Sequence, residues 1–590
     1  MRKIIGLIFI GLFFLFLPVL IAIADSEGQQ TKFFVDPSYD LSGREELLAG
    51  LKLKSQKINF YIDNKWWRSL NSQERQKVKE SLNSLGEEFY YVIYPTLTST
   101  FGPEWRPGID NDYNITVLIH PMKKEVRGYF RDADEYPKIQ APRSNEREML
   151  YLNAQYITSP LAKSFLAHEF VHLITFNQKE RKYKVKEDVW LNEARAEYAP
   201  TLLGYNDQYV GSYFQERVDT FLKKPSDSIT EWKGASADYG ALSVFVHYLV
   251  EKYGIEILVD SLHSNKTGIA SINEALEKNG FQKSFSDIFT DWAIAVFVND
   301  CSLGKEYCFE NKNLPKIRIT PLVNFLPLQG KSSLGVNQTT KNWAGNWFKF
   351  IGGKGIFKIK FIGNPQNRFR VPYLLKDASG KWSLGFFDLD KEQRGEVTIP
   401  GIGESITSVT IIPLAQTKTS EFSESEPEIP FFWEVSTISG QKKTKPEDPA
   451  ALQSKYLEKP IYEMTKEELI AKIAELTELL RQLKAQLAII ESKSAPELLS
   501  GCGMFEQNLY FGMRNNPQVR CLQAFLKSQG PDIYPEGLVT GNFLNLTKAA
   551  VIRFQEKYKE EILAPLGLEK GTGFVGPMTR KKINALIAAR

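Results

Sequence analysis

Two of the five histidines in the sequence, His168 and His172, lie four residues apart with Glu169 between them, inside the apolar stretch 166–173. Residues at this spacing share one face of a helix, so both imidazoles can reach the same ion. Zn²⁺ prefers nitrogen ligands of this kind, and a catalytic zinc site has three protein ligands and one open position. The pattern therefore predicts a helix that begins near Ser159 and Pro160 and carries two zinc ligands.

A third metal ligand is expected on a second helix further along the chain. In residues 190–199, Glu193 and Glu197 lie four residues apart and share a helical face among apolar and aromatic neighbours. We assign Glu193 as the third zinc ligand and Glu197 as the carboxylate that holds the outer N–H of a ligand histidine. The alternative for each glutamate is an ordinary exposed side chain.

The spacing of these residues resembles that of the gluzincin metallopeptidases, with His168-Glu169-x-x-His172 followed by Asn192-Glu193-x-x-x-Glu197. Segments 127–130, 132–134 and 144–149 are similar to the hyicolysin-like branch of that group. The resemblance implies an α+β zincin-like peptidase domain, which we place at residues 53–315. It also implies a cleft residue that holds the oxyanion. Tyr239 looks most like that residue, and the alternative is a tyrosine that packs at a helix start.

The chemistry expected of such a site is hydrolysis of peptide bonds in a polypeptide substrate. Zn²⁺ held by His168, His172 and Glu193 would acidify a water and polarise the substrate carbonyl. Glu169 is placed to take the water proton and pass it to the leaving amine, a contribution of about 10²–10⁴-fold. No acyl-enzyme is expected.

The first 24 residues predict an extracytoplasmic protein, either secreted or at the cell envelope. They begin with Arg2 and Lys3, continue as an apolar run and end in Ala22-Ile23-Ala24, which is typical of a secretory signal peptide. The run is also long enough for an uncleaved membrane anchor. Loss of Arg2 and Lys3 lowers the formal net charge from +4 to +2, which is too close to neutrality to indicate a nucleic-acid partner.

The four cysteines fall in two close pairs, Cys301 with Cys308 and Cys502 with Cys521. In an oxidising compartment, pairing within each pair is the simplest expectation. Free buried thiols are the alternative.

The remaining patterns predict a multidomain chain. Residues 25–52 are polar and are expected to form an extended N-terminal segment. Seven short strand-like runs predict an antiparallel β-sandwich at residues 316–440, and residues 441–463 have the composition of a linker. Heptad spacing of leucines and isoleucines in residues 464–493 predicts a short coiled coil that could make a homo-oligomer. A single amphipathic helix is the alternative for that segment.

Residues 500–590 resemble a peptidoglycan-binding domain of the small three-helix, all-α type. The motifs that carry the resemblance are Leu522-Gln523, Gly541-Asn542-Phe543, Thr547-x-x-Ala550-Val551, Phe554-Gln555 and Gly573-x-Val575-Gly576-x-x-Thr579. The resemblance implies non-catalytic attachment to cell-wall polymer, for which Tyr534, Phe543 and Gln555 are the candidate contact residues. A small helical domain that binds something else is the alternative.

Together, these patterns predict a secreted bacterial zinc metallopeptidase that acts on proteins and is attached to the cell wall by its C-terminal domain. One alternative is a hydrolase of the peptide stems of peptidoglycan. Another is a catalytically inactive cell-surface binding protein. The intact Glu169 argues against the inactive form, because a single substitution at this position would abolish the general base.

Overall fold

The computed structural model of the chain describes residues 28–314, 317–326, 332–438 and 502–588. The chain divides into two compact units, residues 1–443 and residues 444–590. The predicted signal peptide and the predicted coiled coil lie outside the described residues, as does the linker at 441–463, so homo-oligomerisation stays a prediction. Within the described ranges, no helix combines the length and the apolar character needed to cross a membrane.

The first unit begins with a six-stranded sheet in the order β1-β2-β3-β4-β6-β5. Strands β3, β4 and β6 run parallel, and the other pairs are antiparallel. Every residue of β3, β4 and β6 is buried, as expected for parallel strands covered on both faces. The strands are β1 Gln30–Phe34, β2 Glu46–Lys54, β3 Ile58–Asp63, β4 Ile115–His120, β5 Gly128–Phe130 and β6 Met149–Asn153.

The N-terminal segment 25–52, which was expected to be extended, contributes β1 and most of β2 to the sheet. Phe33, Leu47 and Leu51 are buried in a cluster with β4 and β6 residues on one face of the sheet. The polar residues that alternate with them face outward, which explains the polar composition. The folded domain therefore begins before residue 53.

Ten α-helices lie in the described residues of the first unit and are numbered in chain order. The helix that carries His168 begins at Ala162, just after the predicted start at Ser159 and Pro160, because residues 154–161 first form a short 3₁₀ turn and further turns. The helices are α1 Asn64–Ser69, α2 Ser72–Glu88, α3 Tyr94–Phe101, α4 Ala162–Thr175, α5 Val189–Leu202, α6 Tyr213–Lys223, α7 Ser236–Tyr253, α8 Glu256–Leu262, α9 Gly268–Lys278 and α10 Phe285–Val298.

The predicted β-sandwich is a curled nine-stranded sheet with a separate two-stranded pair, β11 with β16. The tight turn 403–405 keeps β14 and β15 bonded to each other, so the two antiparallel halves form one sheet. Aromatic side chains from both halves, including Phe350 and Trp433, form the core between them. The strands are β7 Leu322–Leu326, β8 Ser332–Thr340, β9 Phe348–Gly352, β10 Gly355–Gly363, β11 Phe369–Arg370, β12 Pro372–Asp377, β13 Trp382–Phe386, β14 Arg394–Ile402, β15 Ile406–Ile411, β16 Leu414–Ala415 and β17 Ile429–Ile438.

This β-region packs directly on the helical part of the first unit through two tryptophans. The Trp343 ring lies 4.9 Å from that of Phe285 and 5.4 Å from that of Phe289, both on α10. Trp347 Nε1 donates a hydrogen bond of 2.8 Å to the carbonyl of Ala293, also on α10. The β-region and the metal-site region therefore share one hydrophobic core.

The described part of the second unit, residues 502–588, has three main helices and repeats one hydrogen-bonded arrangement. Gln523 accepts bonds from the amides of Thr540 and Gly541, and Gln555 accepts bonds from the amides of Thr572 and Gly573. The repeat indicates two copies of one helix–loop element. The helices are α11 Pro517–Ser528, α12 Asn545–Lys557, the short α13 Lys559–Ile562 and α14 Pro577–Ala588.

Candidate metal centre

The first four predicted site residues meet between α4 and α5. His168 Nε2 and His172 Nε2 lie 3.2 Å apart, and Glu193 Oε2 lies 3.2 Å from the first nitrogen and 3.7 Å from the second. One ligand atom from each of these three residues lies within 4.8 Å of the other two, so the group could hold a metal ion. Glu169 lies beside them on α4 and is buried.

The outer nitrogen of each histidine faces a side chain of α5. His172 Nδ1 lies 3.1 Å from Asn192 Oδ1, and His168 Nδ1 lies 3.5 Å from Glu197 Oε1. The contact at His172 Nδ1 helps to direct its Nε2 toward the other candidate ligands, whereas His168 Nδ1 makes no hydrogen bond within the described part of the chain and has Glu197 as an ion-pair neighbour. The role of Glu197 in holding this ring stays a prediction, and Asn192 was part of the recognised motif but received no role.

Arg217 is a functional residue that sequence reasoning missed. Its guanidinium donates bonds of 2.9 and 2.8 Å to the carboxylate of Glu197, which also accepts a 2.6 Å bond from the Tyr213 hydroxyl. The guanidinium lies 4.4 Å from the centres of the Tyr213 and Tyr239 rings. No local motif marks Arg217, because only the packing of α6 brings it to Glu197.

Edge strand β5 fits closely against the carboxylate of Glu169. A Cβ atom at Gly128 would lie 2.9 Å from Glu169 Oε1 and 2.7 Å from the carbonyl oxygen of Tyr151. Any side chain at position 128 would therefore displace Glu169 or separate β5 from β6.

Two tyrosines border the metal-ligand group. The ring of Tyr239, which is in the first turn of α7, lies 6.5 Å from the ring of His168. Burial and the charge of Glu193 raise the pKa of Tyr239, so its hydroxyl stays protonated and can donate a hydrogen bond. Tyr39, which follows β1, was not predicted. Burial and the nearby charges of Asp36, Glu193 and Glu169 raise its pKa.

The charges of the centre fit a dication. Among the described residues, the buried carboxylates of Glu169 and Glu197 and the partly exposed carboxylate of Glu193 face the guanidinium of Arg217, so three negative charges meet one positive charge. In the metal-free protein, burial and the other two carboxylates raise the pKa of Glu169 to about 8. Burial opposes protonation of His168, but the carboxylates outweigh it and raise its pKa to about 9. Both shifts favour the protonated forms of His168 and Glu169 at neutral pH.

The three residues predicted to contact cell-wall polymer in the C-terminal unit are buried, so that prediction is wrong. Tyr534, Phe543 and Gln555 are 3%, 0% and 2% exposed, so they hold the unit together and cannot form a contact face. Among residues 502–588, Tyr510, Phe511 and Phe574 are the aromatic residues classed as exposed. The rings of Tyr510 and Phe574 stack with their centres 6.5 Å apart.

Both cysteine pairs form disulfides, Cys301 with Cys308 and Cys502 with Cys521. Each bond joins the partners that the sequence predicted. Disulfides persist in oxidising compartments, and their presence is consistent with an extracytoplasmic location.

Comparisons with known proteins assign no family. No protein-family model matches the chain, and no curated protein matches it. Among solved structures, it is similar to the pre-peptidase C-terminal domain of a collagenase from Bacillus anthracis, with 7% identity over 20% of this chain and 96% of that domain and a TM-score of 0.13. A periplasmic inhibitor of g-type lysozyme from Aeromonas hydrophila matches with 13% identity, 20% and 98% coverage and a TM-score of 0.13. At such scores these likenesses carry no functional argument.

We predict that Arg217→Gln weakens zinc binding by about 10–100-fold. The substitution leaves Glu197 buried without its cation and releases the carboxylate that orients His168. Competition for Zn²⁺ against a chromophoric chelator measures the change. Lys223→Gln, which removes an exposed positive charge from the same helix, is the matched control and should bind zinc as the wild type does. Equal zinc affinity of the Arg217→Gln and wild-type proteins would contradict the assigned role.

Proposed function

We propose that the chain is a zinc-dependent metallopeptidase that hydrolyses peptide bonds of protein substrates outside the cytoplasm. The observation that carries the proposal is the convergence of His168 Nε2, His172 Nε2 and Glu193 Oε2 beside the buried carboxylate of Glu169. Two imidazoles and one carboxylate are a ligand set that catalytic zinc uses. The excess of negative charge at the centre supports a doubly charged ion.

When bound, Zn²⁺ supplies a Lewis acid that polarises the substrate carbonyl and acidifies water. Glu169 then accepts the proton of the attacking water on its carboxylate and delivers it to the leaving amine. The Tyr239 hydroxyl donates a hydrogen bond to the oxygen on which negative charge develops. Asn192 and Glu197 keep the two imidazoles in orientation, and Arg217 holds Glu197.

Strand β5 supports a peptide as the substrate. It is the edge of the six-stranded sheet, and among the described residues its outer side pairs with no other strand. An extended peptide can add to such an edge through main-chain hydrogen bonds, which gives affinity for any sequence. Gly128 in this strand touches Glu169, so a peptide bound along β5 would lie beside the general base.

We predict that Glu169→Gln lowers kcat for cleavage of an unstructured protein such as casein by at least about 10²-fold. The amide keeps the size of the side chain but cannot accept the proton. Zinc binding should persist, because Glu169 is not among the three ligands. The measurement compares native, chelator-treated and zinc-restored protein with the zinc-loaded variant.

Glu146→Gln is the control for this assay, because it removes a partly exposed carboxylate that is paired with Lys138 far from the ligand group. Activity of zinc-loaded Glu169→Gln equal to that of the wild type would contradict the mechanism. Cleavage of purified peptidoglycan stems without cleavage of casein would favour the wall hydrolase. Zinc binding without cleavage of either substrate would favour a binding protein.

We further propose that the C-terminal unit attaches the enzyme to cell-wall polymer through Tyr510, Phe511 and Phe574. Exposed apolar clusters of this kind mark binding surfaces, and the nearby Lys548 ammonium, 5.8 Å from the Phe511 ring, adds a positive charge. Attachment would raise the effective concentration of the peptidase against substrates at the envelope.

We predict that the double substitution Tyr510→Ala and Phe574→Ala lowers co-sedimentation with purified peptidoglycan by at least about tenfold, because it removes the stacked rings. Leu566→Ala, which truncates another exposed apolar side chain of the unit, is the control and should sediment as the wild type does. Full binding by the double variant would exclude this surface. Casein cleavage should be the same in all three proteins, because the changes lie outside the metal-site unit.

A further inference from the structure

Two buried carboxylates near β5 accept almost no hydrogen bonds. Glu135 is 2% exposed and Glu148 is 3% exposed. The two carboxylates lie within hydrogen-bonding reach of each other. Apart from that contact, within the described part of the chain neither oxygen of Glu135 has a hydrogen-bond partner, and neither does Oε2 of Glu148. An ionised carboxylate that is removed from water without a partner is strongly unfavourable. The pair therefore requires either a shared proton or a bound cation.

The backbone around Glu148 is shaped to accommodate its carboxylate. Its Oε1 accepts a 2.7 Å hydrogen bond from the amide of Ile109. Gly108 has φ +92°, and a Cβ atom there would lie 1.6 Å from Glu148 Oε2, so only glycine leaves this space open. The loop that contains Gly108 is therefore fitted to the Glu148 side chain.

The charges around Glu135 and Glu148 favour a pair with a bound cation over a pair without one. Burial and the charges of Glu148 and Asp134 raise the pKa of Glu135, and burial and the charge of Asp110 raise the pKa of Glu148. Arg181 also lies near the pair, and its guanidinium lies 3.3 Å from the centre of the Trp105 ring and donates to Asn177. Arg181 forms no ion pair with Glu135 or Glu148 among the described residues.

We propose that Glu135 and Glu148 bind one Ca²⁺ ion. Carboxylate oxygens are the ligands that calcium prefers. Zinc prefers nitrogen or sulfur ligands, and the two glutamates offer only oxygen. Glu135 ends the 3₁₀ turn that follows β5, and Glu148 directly precedes β6. The ion would join the two ends of the 131–148 segment to the loop at Gly108, and so hold edge strand β5 in place. The site shares no residue with the zinc ligands.

The test uses the whole mature protein, loaded with zinc and freed of calcium. We expect titration with Ca²⁺ to give a calorimetric isotherm of one ion per chain. We also expect Tb³⁺ to bind with emission sensitised by Tyr136, the neighbour of Glu135, and Ca²⁺ to displace it. Glu135→Gln and Glu148→Gln should each weaken Ca²⁺ binding by at least about tenfold, because each removes a charged ligand. Glu146→Gln, two residues from Glu148, should bind Ca²⁺ as the wild type does.

Hydrogen exchange measured on the wild type locates the ion without any variant, so the test does not depend on whether the variants fold. Added Ca²⁺ should slow amide exchange in residues 131–148, and His168→Ala should retain the same Ca²⁺ isotherm. Absence of a saturable Ca²⁺ signal would overturn the proposal and leave a carboxyl pair that shares a proton. Protection confined to another region would also overturn it, as would a Ca²⁺ signal lost in His168→Ala. None of these results depends on peptidase activity, so the metallopeptidase proposal is tested separately.

Discussion

The metal centre depends on how the buried carboxylate of Glu197 is compensated. Glu197 is 1% exposed, accepts hydrogen bonds from Tyr213 and Arg217, and faces the outer nitrogen of His168. A buried ion pair of this kind is costly to break, because loss of one partner leaves an uncompensated charge. The pair therefore fixes α6 against α5, while the same carboxylate is expected to orient a candidate ligand on α4. The arrangement of three helices and the geometry of the centre thus rest on one side chain.

The candidate ligand residues could be picked out from the sequence because the pattern that marks them is local. His168 and His172 occupy one helical face, and Glu193 and Glu197 repeat that spacing on α5. The four-residue spacing and the residue types were therefore enough to pick them out. Arg217 and Gly128 could not be predicted in this way. Their roles arise only when α6 and β5 pack against the centre, and an arginine or a glycine in isolation carries no such signal.

Other differences have the same origin in tertiary packing. The place of strands β1 and β2 in the sheet follows from the pairing of β2 with β3 and of β1 with β2, which the sequence of the segment did not indicate. The prediction of contact residues in the C-terminal unit was wrong, because aromatic and amide side chains occur in protein cores as well as on binding surfaces. Gln555 is buried because the loop amides of Thr572 and Gly573 require an acceptor. The curled β-region was predicted as strands, but the sequence did not indicate that Trp343 and Trp347 join it to α10.

Proton release on zinc binding tests most directly whether the centre is built around a dication. Calorimetric titration of the metal-free protein with Zn²⁺ in buffers of different ionisation enthalpy gives the number of protons released. At pH 7 the wild type should release about two protons, because the pKa values of His168 and Glu169 are about 9 and about 8 in the metal-free protein. Glu169→Gln should release about one, and in the wild type release should decline from about pH 8 upward, as Glu169 and then His168 lose their protons before zinc binds. Zinc binding at pH 7 without proton release, or no zinc binding, would contradict the account.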